Sequence, residues 1–266
     1  MKKILALLIT ALCCIGMLTA CGSDNKETAD GDDGTFVFKH GFDMDYPPYS
    51  YRNDEGEISG FDVEMAQAAC EYLGWEYEAV PFNWDAKDAE LESGACDCIW
   101  SGFTINGRED DYCWSIPYSD NTQVILIPEG SDLKTLADLA GKTVGVQVAT
   151  SALDLLQGDE KDLADTFAAL NQYDTYTSAF ADLQAGAIQA VAIDITVANY
   201  FMQKTEGFKL LDETLSTEQY AIGFRLSDTK LRDQVNEALA ALVADGTVDK
   251  IAERYPEIAD NIILGK

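Results

Sequence analysis

Apolar and polar positions follow two patterns along this chain from about residue 36 onward. Short apolar runs of strand length alternate with longer stretches in which apolar residues recur every three or four positions. The short runs predict strands at residues 36–41, 76–81, 96–100, 143–148 and 190–193. The periodic stretches predict helices at residues 62–73 and near 133–140, 151–157, 177–185 and 232–244. Strands that alternate with helices in this way predict an α/β fold.

The helix predicted at residues 62–73 has recognisable start and stop signals. Asp62 can cap its N-terminus, and Gly74 is typical of the residue that ends a helix. One face of the helix is apolar and consists of Val63, Ala66, Ala69, Cys70 and Leu73. We therefore expect this face to pack against the core.

Two longer stretches, at residues 119–130 and 215–226, each contain an extended strand with few turn residues. We interpret them as two crossings between lobes. One lobe is then built from residues 36–121 and 219–266, and the other from residues 122–218. A cleft between the two lobes is a usual place for a small-molecule site.

The N-terminus carries a secretion signal. Two lysines precede an apolar run at residues 4–17, which is shorter than the roughly 20 residues that span a bilayer. The run is followed by the lipobox-like sequence LTAC, so residues 1–20 are predicted to be a lipoprotein signal peptide and Cys21 the lipidated residue. Residues 22–35 contain no large apolar side chain, and we expect residues 21–35 to form a flexible tether. The predicted location is the extracytoplasmic face of the cell membrane.

Composition narrows the classes of function. The chain has 266 residues, of which 47% are hydrophobic, and this is enough to form real cores. Its formal net charge is -29, from 47 acidic and 18 basic residues. Nucleic acid is excluded as a partner, because its binding needs a basic surface.

Four cysteines fall in the predicted folded part, namely Cys70, Cys96, Cys98 and Cys113. Export permits disulfides, but the sequence proves none, and we expect buried free thiols. A zinc site at Cys96 and Cys98 would need further ligands that the single histidine, His40, does not readily supply. We therefore expect no metal and no cofactor.

Several polar residues come directly after predicted strands. Asp43, Ser101, Ser151 and Asp194 each follow a different apolar run. Ligands of open α/β sheets bind at the carboxyl ends of the strands, so this shared position indicates a site. Taken singly, Asp194 is equally typical of a helix cap, and either Ser151 or Thr150 could cap the helix that follows its strand.

Five segments of the chain resemble one known family. The segments are GFDMDYPPYSYRNDEGEISGFDVEMAQA, SGFTINGRE, GKTVGVQVATS, YDTYTSAFADLQAG and ADGTVDKIAERY. They are similar to the polar amino acid family, family 3, of extracellular solute-binding proteins that serve ABC importers. The resemblance covers the chain from about residue 36. It implies a two-lobed Venus-flytrap fold with two hinge strands, an amino acid ligand, an ABC permease as membrane partner, and a monomer.

An α-amino acid needs one receptor for its carboxylate and another for its ammonium. The planar guanidinium of Arg108 suits the carboxylate, and the resemblance implies that Asp194 pairs with the ammonium. The loop before Arg108, TINGRE, is one residue shorter than the family pattern. The alternative for Arg108 is an exposed position in which it pairs with Glu109 or Asp110.

The resemblance places further polar groups around the same ligand. Backbone N–H groups of Gly102, Thr104 and Ser151 are expected to donate hydrogen bonds to it, the last at a helix start. The hydroxyls of Ser101 and Thr104 are expected to contact it as well. The hydroxyls, the glycine and the arginine of SGFTINGRE would then line one wall of the cleft.

The resemblance also implies contacts with the ligand side chain. Tyr46 and Trp84 match aromatic wall positions, although both are equally suited to core packing. Gln147 matches a contact position, or faces solvent at its strand end. Asp43 matches a position that faces the ligand side chain, or is held by the backbone of the turn at residues 46–48.

The leading hypothesis is a lipid-anchored receptor that binds a polar L-amino acid and delivers it to a permease, without enzymatic activity. The alternatives are a secreted enzyme on the same scaffold, similar to cyclohexadienyl dehydratase, and a receptor that senses its ligand. An enzyme needs a general acid or base in the cleft. The polar residues at the strand ends are already accounted for by ligand-binding roles.

Overall fold

The computed structural model describes residues 35–266. The predicted signal peptide, Cys21 and all but the last residue of the predicted tether lie outside the described residues. Within residues 35–266, no helix combines the length and the apolar character that a membrane crossing requires.

The strands of the described part of the chain are short, apart from the first, the fifth and the eighth. In chain order they are β1 (Val37–Asp43), β2 (Asp45–Tyr46), β3 (Ser50–Arg52), β4 (Ile58–Ser59), β5 (Glu76–Phe82), β6 (Cys98–Ile99), β7 (Cys113–Trp114), β8 (Ser119–Pro128), β9 (Thr143–Gln147), β10 (Ala169–Tyr173), β11 (Ala190–Asp194), β12 (Phe208–Leu210), β13 (Ser216–Tyr220) and β14 (Gly223–Phe224).

The helices connect these strands and cover the sheets. They are α1 (Phe61–Leu73), α2 (Lys87–Ser93), α3 (Ser151–Gln157), α4 (Lys161–Ala164), α5 (Tyr176–Gln184), α6 (Ile195–Lys204), α7 (Thr229–Ala244) and α8 (Thr247–Ala252). Single 3₁₀ turns are present at Trp84–Ala86 and Leu136–Leu139.

Two main sheets form the two lobes of an α/β fold, which confirms the predicted fold class. The first has the strand order β5-β1-β6-β14-β7, with β5, β1 and β6 parallel, and it uses segments from both ends of the described chain. The second has the order β10-β9-β11-β8-β12, with β13 also paired to β8. A small antiparallel sheet of β2, β3 and β4 lies beside them.

The two stretches interpreted as crossings pair with each other. Strands β8 and β13 are antiparallel, with Ser119 opposite Tyr220 and Gln123 opposite Ser216. Tyr220 also bridges Thr104, which follows β6 of the first sheet. The crossings are thus paired over residues 119–123 and 216–220, while the boundaries of the lobes at 121/122 and 218/219 stay a prediction.

Two local predictions were wrong. Residues 133–140 form only one 3₁₀ turn, because Thr135 caps at its N-terminus and Ala140 leaves helical geometry before Gly141, whose φ is 70°. Asp62 does not cap α1, because Gly60 occupies the N-cap position and the Asp62 side chain is buried. Gly74 ends α1 in the left-handed conformation, as predicted.

The four cysteines of the described chain are buried and free, as expected. Burial raises the pKa of the Cys70 and Cys96 thiols to about 12. Since the thiolate is the reactive form of cysteine, these thiols are inert in the folded protein.

Gly41 sets how closely β1 packs against β5 and β6. A Cβ at this position would lie 2.6 Å from Cε1 of Phe82 and 2.7 Å from both Sγ of Cys96 and the carbonyl oxygen of Cys98. Gly41→Ala is expected to lower the free energy of unfolding by about 1–3 kcal/mol through overpacking. Urea denaturation measures the change.

The matched control is Gly130→Ala, because a Cβ at residue 130 meets no atom within 4 Å. The packing argument fails if both variants unfold at the same urea concentration.

Candidate ligand-binding cleft

A polar pocket opens where the two main sheets face each other. Its volume is about 280 Å³, including space open to solvent. The residues that line it are Tyr46, Trp84, Ser101, Gly102, Thr104, Arg108, Gln147, Thr150, Ser151 and Asp194. The structure therefore brings together all the residues predicted from the sequence to contact a ligand except Asp43, and it adds Thr150.

The strands place these side chains by ending at the same cleft. Gln147 is the last residue of β9 and Asp194 the last residue of β11, and these two strands are neighbours in the second sheet. Ser101 follows β6 of the first sheet by two residues. The carboxyl ends of strands from both sheets thus form the walls.

Two physical constraints require a glycine at position 102. Its φ of 54° is left-handed, and a Cβ there would lie 2.4 Å from Cε1 of Tyr46. Its N–H was expected to bind the ligand, but it donates to Oδ2 of Asp62 at 2.8 Å and to the Tyr118 hydroxyl at 3.1 Å. This expectation was wrong, because the N–H is used within the protein and Gly102 contributes shape.

The buried Asp62 side chain fixes the loop that contains Gly102. Its Oδ2 accepts from the Tyr118 hydroxyl at 2.7 Å as well as from Gly102. Burial raises the pKa of the Asp62 carboxyl to about 7, although these two hydrogen bonds lower it.

Asp194 occupies the N-cap position of α6 but makes no side-chain capping bond. Its Oδ1 instead accepts hydrogen bonds from Asn121 Nδ2, Gln123 Nε2 and the Tyr220 hydroxyl, each at 2.6 Å. These donors lie on the paired crossing strands. Asp194 is 4% exposed, so its carboxylate is fixed at the base of the cleft.

Ser151 is likewise not a cap. Thr150 occupies the N-cap position of α3, and its side chain accepts from the Leu153 N–H at 3.3 Å. The Ser151 hydroxyl points to the cleft base, where it donates to Oε1 of Glu218 at 3.2 Å.

Glu218 is a buried second carboxylate that the sequence reasoning missed. Its Oε1 accepts from Asn121 Nδ2 at 2.7 Å, Gln123 Nε2 at 2.8 Å and Thr104 Oγ1 at 2.9 Å. Burial, followed by the nearby charge of Asp194, raises the pKa of the Glu218 carboxyl. The sequence did contain a signal for its burial. Side chains alternate between the two faces of a strand, so Glu218 lies on the same face of β13 as the buried Tyr220.

Arg108 lies in the pocket but is not free. Its Nη2 pairs with Oδ2 of Asp154, in the first turn of α3, at 2.6 Å, and its Nη1 donates to the Thr104 carbonyl at 3.5 Å. The Arg108 side chain is 13% exposed, whereas that of Asp154 is 62% exposed. A carboxylate from outside can therefore compete with Asp154 for the guanidinium.

Asp43 lies behind the pocket and does not line it. Its Oδ1 accepts from the Asp45 N–H at 2.9 Å and its Oδ2 accepts from Gln147 Nε2 at 2.8 Å. Burial raises the pKa of the Asp43 carboxyl to about 6. Asp43 thus supports Gln147, and the backbone donor that holds it belongs to Asp45 and not to the turn at residues 46–48.

The aromatic residues both pack and line the pocket. Tyr46 shares a hydrogen bond of 2.8 Å with the Tyr220 hydroxyl. Trp84 stacks edge-on against Phe103, with 5.3 Å between ring centroids, and its Nε1 donates to the Ala149 carbonyl at 3.0 Å. The Trp84 and Asp43 bonds join the two walls directly, so the cleft is closed in this structure.

The site combines a guanidinium with two buried carboxylates and several hydroxyls. It is suited to a small zwitterion, whose opposite charges need opposite receptors. Among residues 35–266, no group of three or more His, Cys, Asp and Glu residues is placed to hold a metal ion.

A two-lobed α/β fold with such a polar cleft is typical of proteins that bind small solutes. The sequence model of the bacterial extracellular solute-binding proteins, family 3, matches residues 38–257. The chain belongs to this family, which confirms the resemblance seen in the sequence.

The similarity extends to individual amino acid-binding proteins. The L-cystine-binding protein TcyJ of Escherichia coli strain K12 is 30% identical over 219 residues, or 81% of this chain and 80% of TcyJ. A histidine-bound substrate-binding protein of an ABC uptake transporter from Streptococcus pneumoniae is 31% identical, with a TM-score of 0.79 over 82% of this chain and 92% of its own.

An ancestral protein with a link to catalysis is also similar. The amino acid-binding protein AncCDT-1, a precursor of cyclohexadienyl dehydratase, is 28% identical. Its TM-score is 0.75, and the match covers 82% of this chain and 95% of AncCDT-1.

Asp62 gives the stability of the protein a pH dependence with a definite sign. The folded state binds a proton on Asp62 more tightly than the unfolded state does, so this residue lowers stability as the pH rises from about 4 to about 7. Asp62→Asn is expected to remove this loss, which is on the order of 4 kcal/mol at most. Urea denaturation of both proteins at pH 4, 5.5 and 7.5 measures it.

The unfolding free energy of Asp62→Asn minus that of the wild type should increase as the pH rises. A gap that stays constant over this range would contradict the assignment of the raised pKa to Asp62.

Proposed function

We propose that this protein is a lipid-anchored extracytoplasmic receptor that binds a polar L-amino acid in the cleft between its lobes and delivers it to the permease of an ABC transporter. The observation that carries the proposal is the presence of Arg108 and Asp194 in one pocket. The two side chains offer opposite charges to the two ends of an α-amino acid. The lipid anchor rests on the sequence signal at Cys21, and the permease rests on the family.

The ligand carboxylate is assigned to Arg108. In the structure, the Arg108 guanidinium already holds a carboxylate, that of Asp154, with 2.6 Å between Nη2 and Oδ2. Its Cζ also lies 5.5 Å from the Phe103 ring centroid, which keeps the guanidinium at the edge of the pocket. Asp154 is displaced readily, because its own side chain is 62% exposed and is solvated by water when the ion pair breaks.

The ligand ammonium is assigned to Asp194. This carboxylate is almost fully buried, and its hydrogen-bond partners are two neutral amides and a tyrosine hydroxyl. Burying a negative charge beside neutral groups is costly, and an ammonium that pairs with it offsets that cost.

The charge around the pocket selects the class of side chain. Asp43, Asp194 and Glu218 are buried in or behind its walls, against the single guanidinium of Arg108. This excess of carboxyl groups disfavours acidic ligands and favours ligands with N–H donors or a neutral polar side chain. Glutamine, histidine, lysine, arginine and cystine meet this requirement, and TcyJ and the pneumococcal protein carry cystine and histidine in their names.

Binding without catalysis is the activity that we assign. AncCDT-1 is described as an amino acid-binding protein and its descendant as a dehydratase, so the scaffold is compatible with both. In this chain the cleft carboxyls are held by hydrogen bonds that suit a fixed receptor, namely the amides on Asp194 and Asp43. Release of unchanged ligand, checked by mass spectrometry after overnight incubation, would agree with a receptor, and a new product would indicate an enzyme.

Removing the Arg108 guanidinium is expected to abolish most of the binding. Arg108→Ala leaves the ligand carboxylate without its buried partner, at a cost of about 3 kcal/mol or more, which is at least about a hundredfold in Kd. Titration calorimetry with the tightest amino acid measures the loss.

The matched control is Asp154→Ala, which breaks the same ion pair but keeps the guanidinium. It should bind as tightly as the wild type or more tightly, because a competing carboxylate is gone. Equal weakening in both variants would show that the ion pair matters only for the shape of the cleft.

A thermal-shift panel of all L-amino acids is expected to single out a neutral polar or cationic ligand. A ligand that binds only the folded state raises the melting temperature, and at equal concentrations a tighter ligand raises it further. Glutamate or aspartate as the strongest stabiliser would contradict the charge argument.

A further inference from the structure

Glu218 and Asp194 share their hydrogen-bond donors. Asn121 Nδ2 lies 2.6 Å from Oδ1 of Asp194 and 2.7 Å from Oε1 of Glu218. Gln123 Nε2 lies 2.6 Å and 2.8 Å from the same two oxygens. Each amide therefore gives one N–H to each carboxylate, and the two carboxylates lie side by side across these amides.

The pair has no cationic side chain in contact among residues 35–266. The hydroxyls of Thr104 and Ser151 face Glu218, and the Tyr220 hydroxyl faces Asp194. Glu218 also lines a second groove, which lies next to the pocket and shares Arg108 and Ser151 with it. The other charged residues of this groove are Arg108, Asp154 and Asp159. Of these, Arg108 is paired with Asp154, so the carboxylate pair is not neutralised by the protein.

The amides that separate the two carboxylates are themselves deeply buried. The side chains of Asn121 and Gln123 are 2% and 0% exposed, and Oδ1 of Asn121 and Oε1 of Gln123 have no hydrogen-bond partner in the described structure. Buried acceptors without a donor are costly, so this cluster of polar groups is destabilising in the described structure.

We propose that Glu218 is a positioning residue that couples ligand binding to the release of one proton. In the free protein, Glu218 carries a proton because the carboxylate of Asp194 lies beside it. When the ligand ammonium pairs with Asp194, it cancels the charge that opposes the ionisation of Glu218, and the proton leaves to solvent. This inference rests on the proposed function, since it requires an ammonium at Asp194.

Ionised Glu218 then orders the hydroxyls of the cleft. As a carboxylate it accepts the hydroxyl hydrogens of Thr104 and Ser151, at 2.9 Å and 3.2 Å. The Ser151 oxygen also accepts from Gln123 Nε2 at 3.1 Å, so its hydroxyl is held by two partners. Thr104 and Ser151 both line the pocket, so Glu218 orients hydroxyls that meet the ligand. Glu218 thus acts through other residues and does not line the pocket itself.

The sign of the pH dependence follows. Burial and the charge of Asp194 raise the pKa of Glu218 in the free protein, and the ligand lowers it again. Protons therefore compete with the ligand, and affinity falls as the pH falls through the raised pKa, by at most about tenfold per pH unit. Among the described residues near the pocket, Asp43 and Asp62 also have carboxyl pKa values that burial raises, to about 6 and about 7.

Calorimetry in two buffers tests the proposal. L-Arginine, L-glutamine and L-cystine are titrated into the full chain between pH 6 and 7, in phosphate and in Bis-Tris, which both buffer in this range and differ in ionisation enthalpy. The α-groups and side chains of these ligands change protonation little between pH 6 and 7, so the difference in apparent enthalpy counts protons released by the protein. We expect up to one proton per ligand in the wild type.

Glu218→Gln is expected to release markedly fewer protons and to flatten the profile of affinity against pH, while Kd rises by no more than about tenfold. Asp43→Asn and Asp62→Asn are the matched controls, and both should still release the proton that Glu218 gives up. Circular dichroism checks that each variant folds, and the proton count of the wild type tests the coupling even if Glu218→Gln does not fold.

The outcomes separate the two proposals. Binding without proton release in the wild type, or with equal release in wild type and Glu218→Gln, overturns the coupling and leaves the proposed function intact. Failure of all three ligands and of the whole amino acid panel to bind overturns the proposed function, and the coupling falls with it.

Discussion

The rest of this structure depends on a buried negative charge that is held by neutral donors. The Asp194 carboxylate ends β11, and its three donors lie on β8 and β13, so one side chain ties the end of β11 to both crossing strands of the same sheet. Neutral donors offset only part of the cost of burying a charge, so the negative charge of Asp194 remains destabilising in the folded protein. A cationic group from outside the protein lowers that energy, which is why the same residue shapes both the fold and the site.

The two walls of the cleft are joined by a few hydrogen bonds between side chains and groups on the facing wall. Trp84 donates to a carbonyl across the cleft, and Asp43 accepts from Gln147, so each lobe offers the other a small number of directional contacts. Such contacts are weak enough to break and specific enough to define one closed arrangement. Differential affinity for that arrangement is the physical means by which a ligand favours closure.

Much of this architecture could be predicted from the sequence, because it depends on local pattern. The strand ends indicated Ser101 and Asp194 as residues of the site, and Gly74 marked the end of α1. The errors concern side chains whose partners are distant along the chain. The Gly102 N–H pairs with Asp62, 40 residues away, and Glu218 meets Thr104, 114 residues away. Residue type and spacing carry no signal for pairings that only the packed sheets create.

The position of Trp84 has a consequence for observing the protein at work. Its indole lies 7% exposed in the pocket wall, with Nε1 bonded to Ala149 on the facing wall. The emission of an indole depends on its hydrogen bonding and on the polarity around it. Separation of the walls would transfer this ring from a shielded environment to water, so the chain contains its own fluorescent reporter of opening and closing.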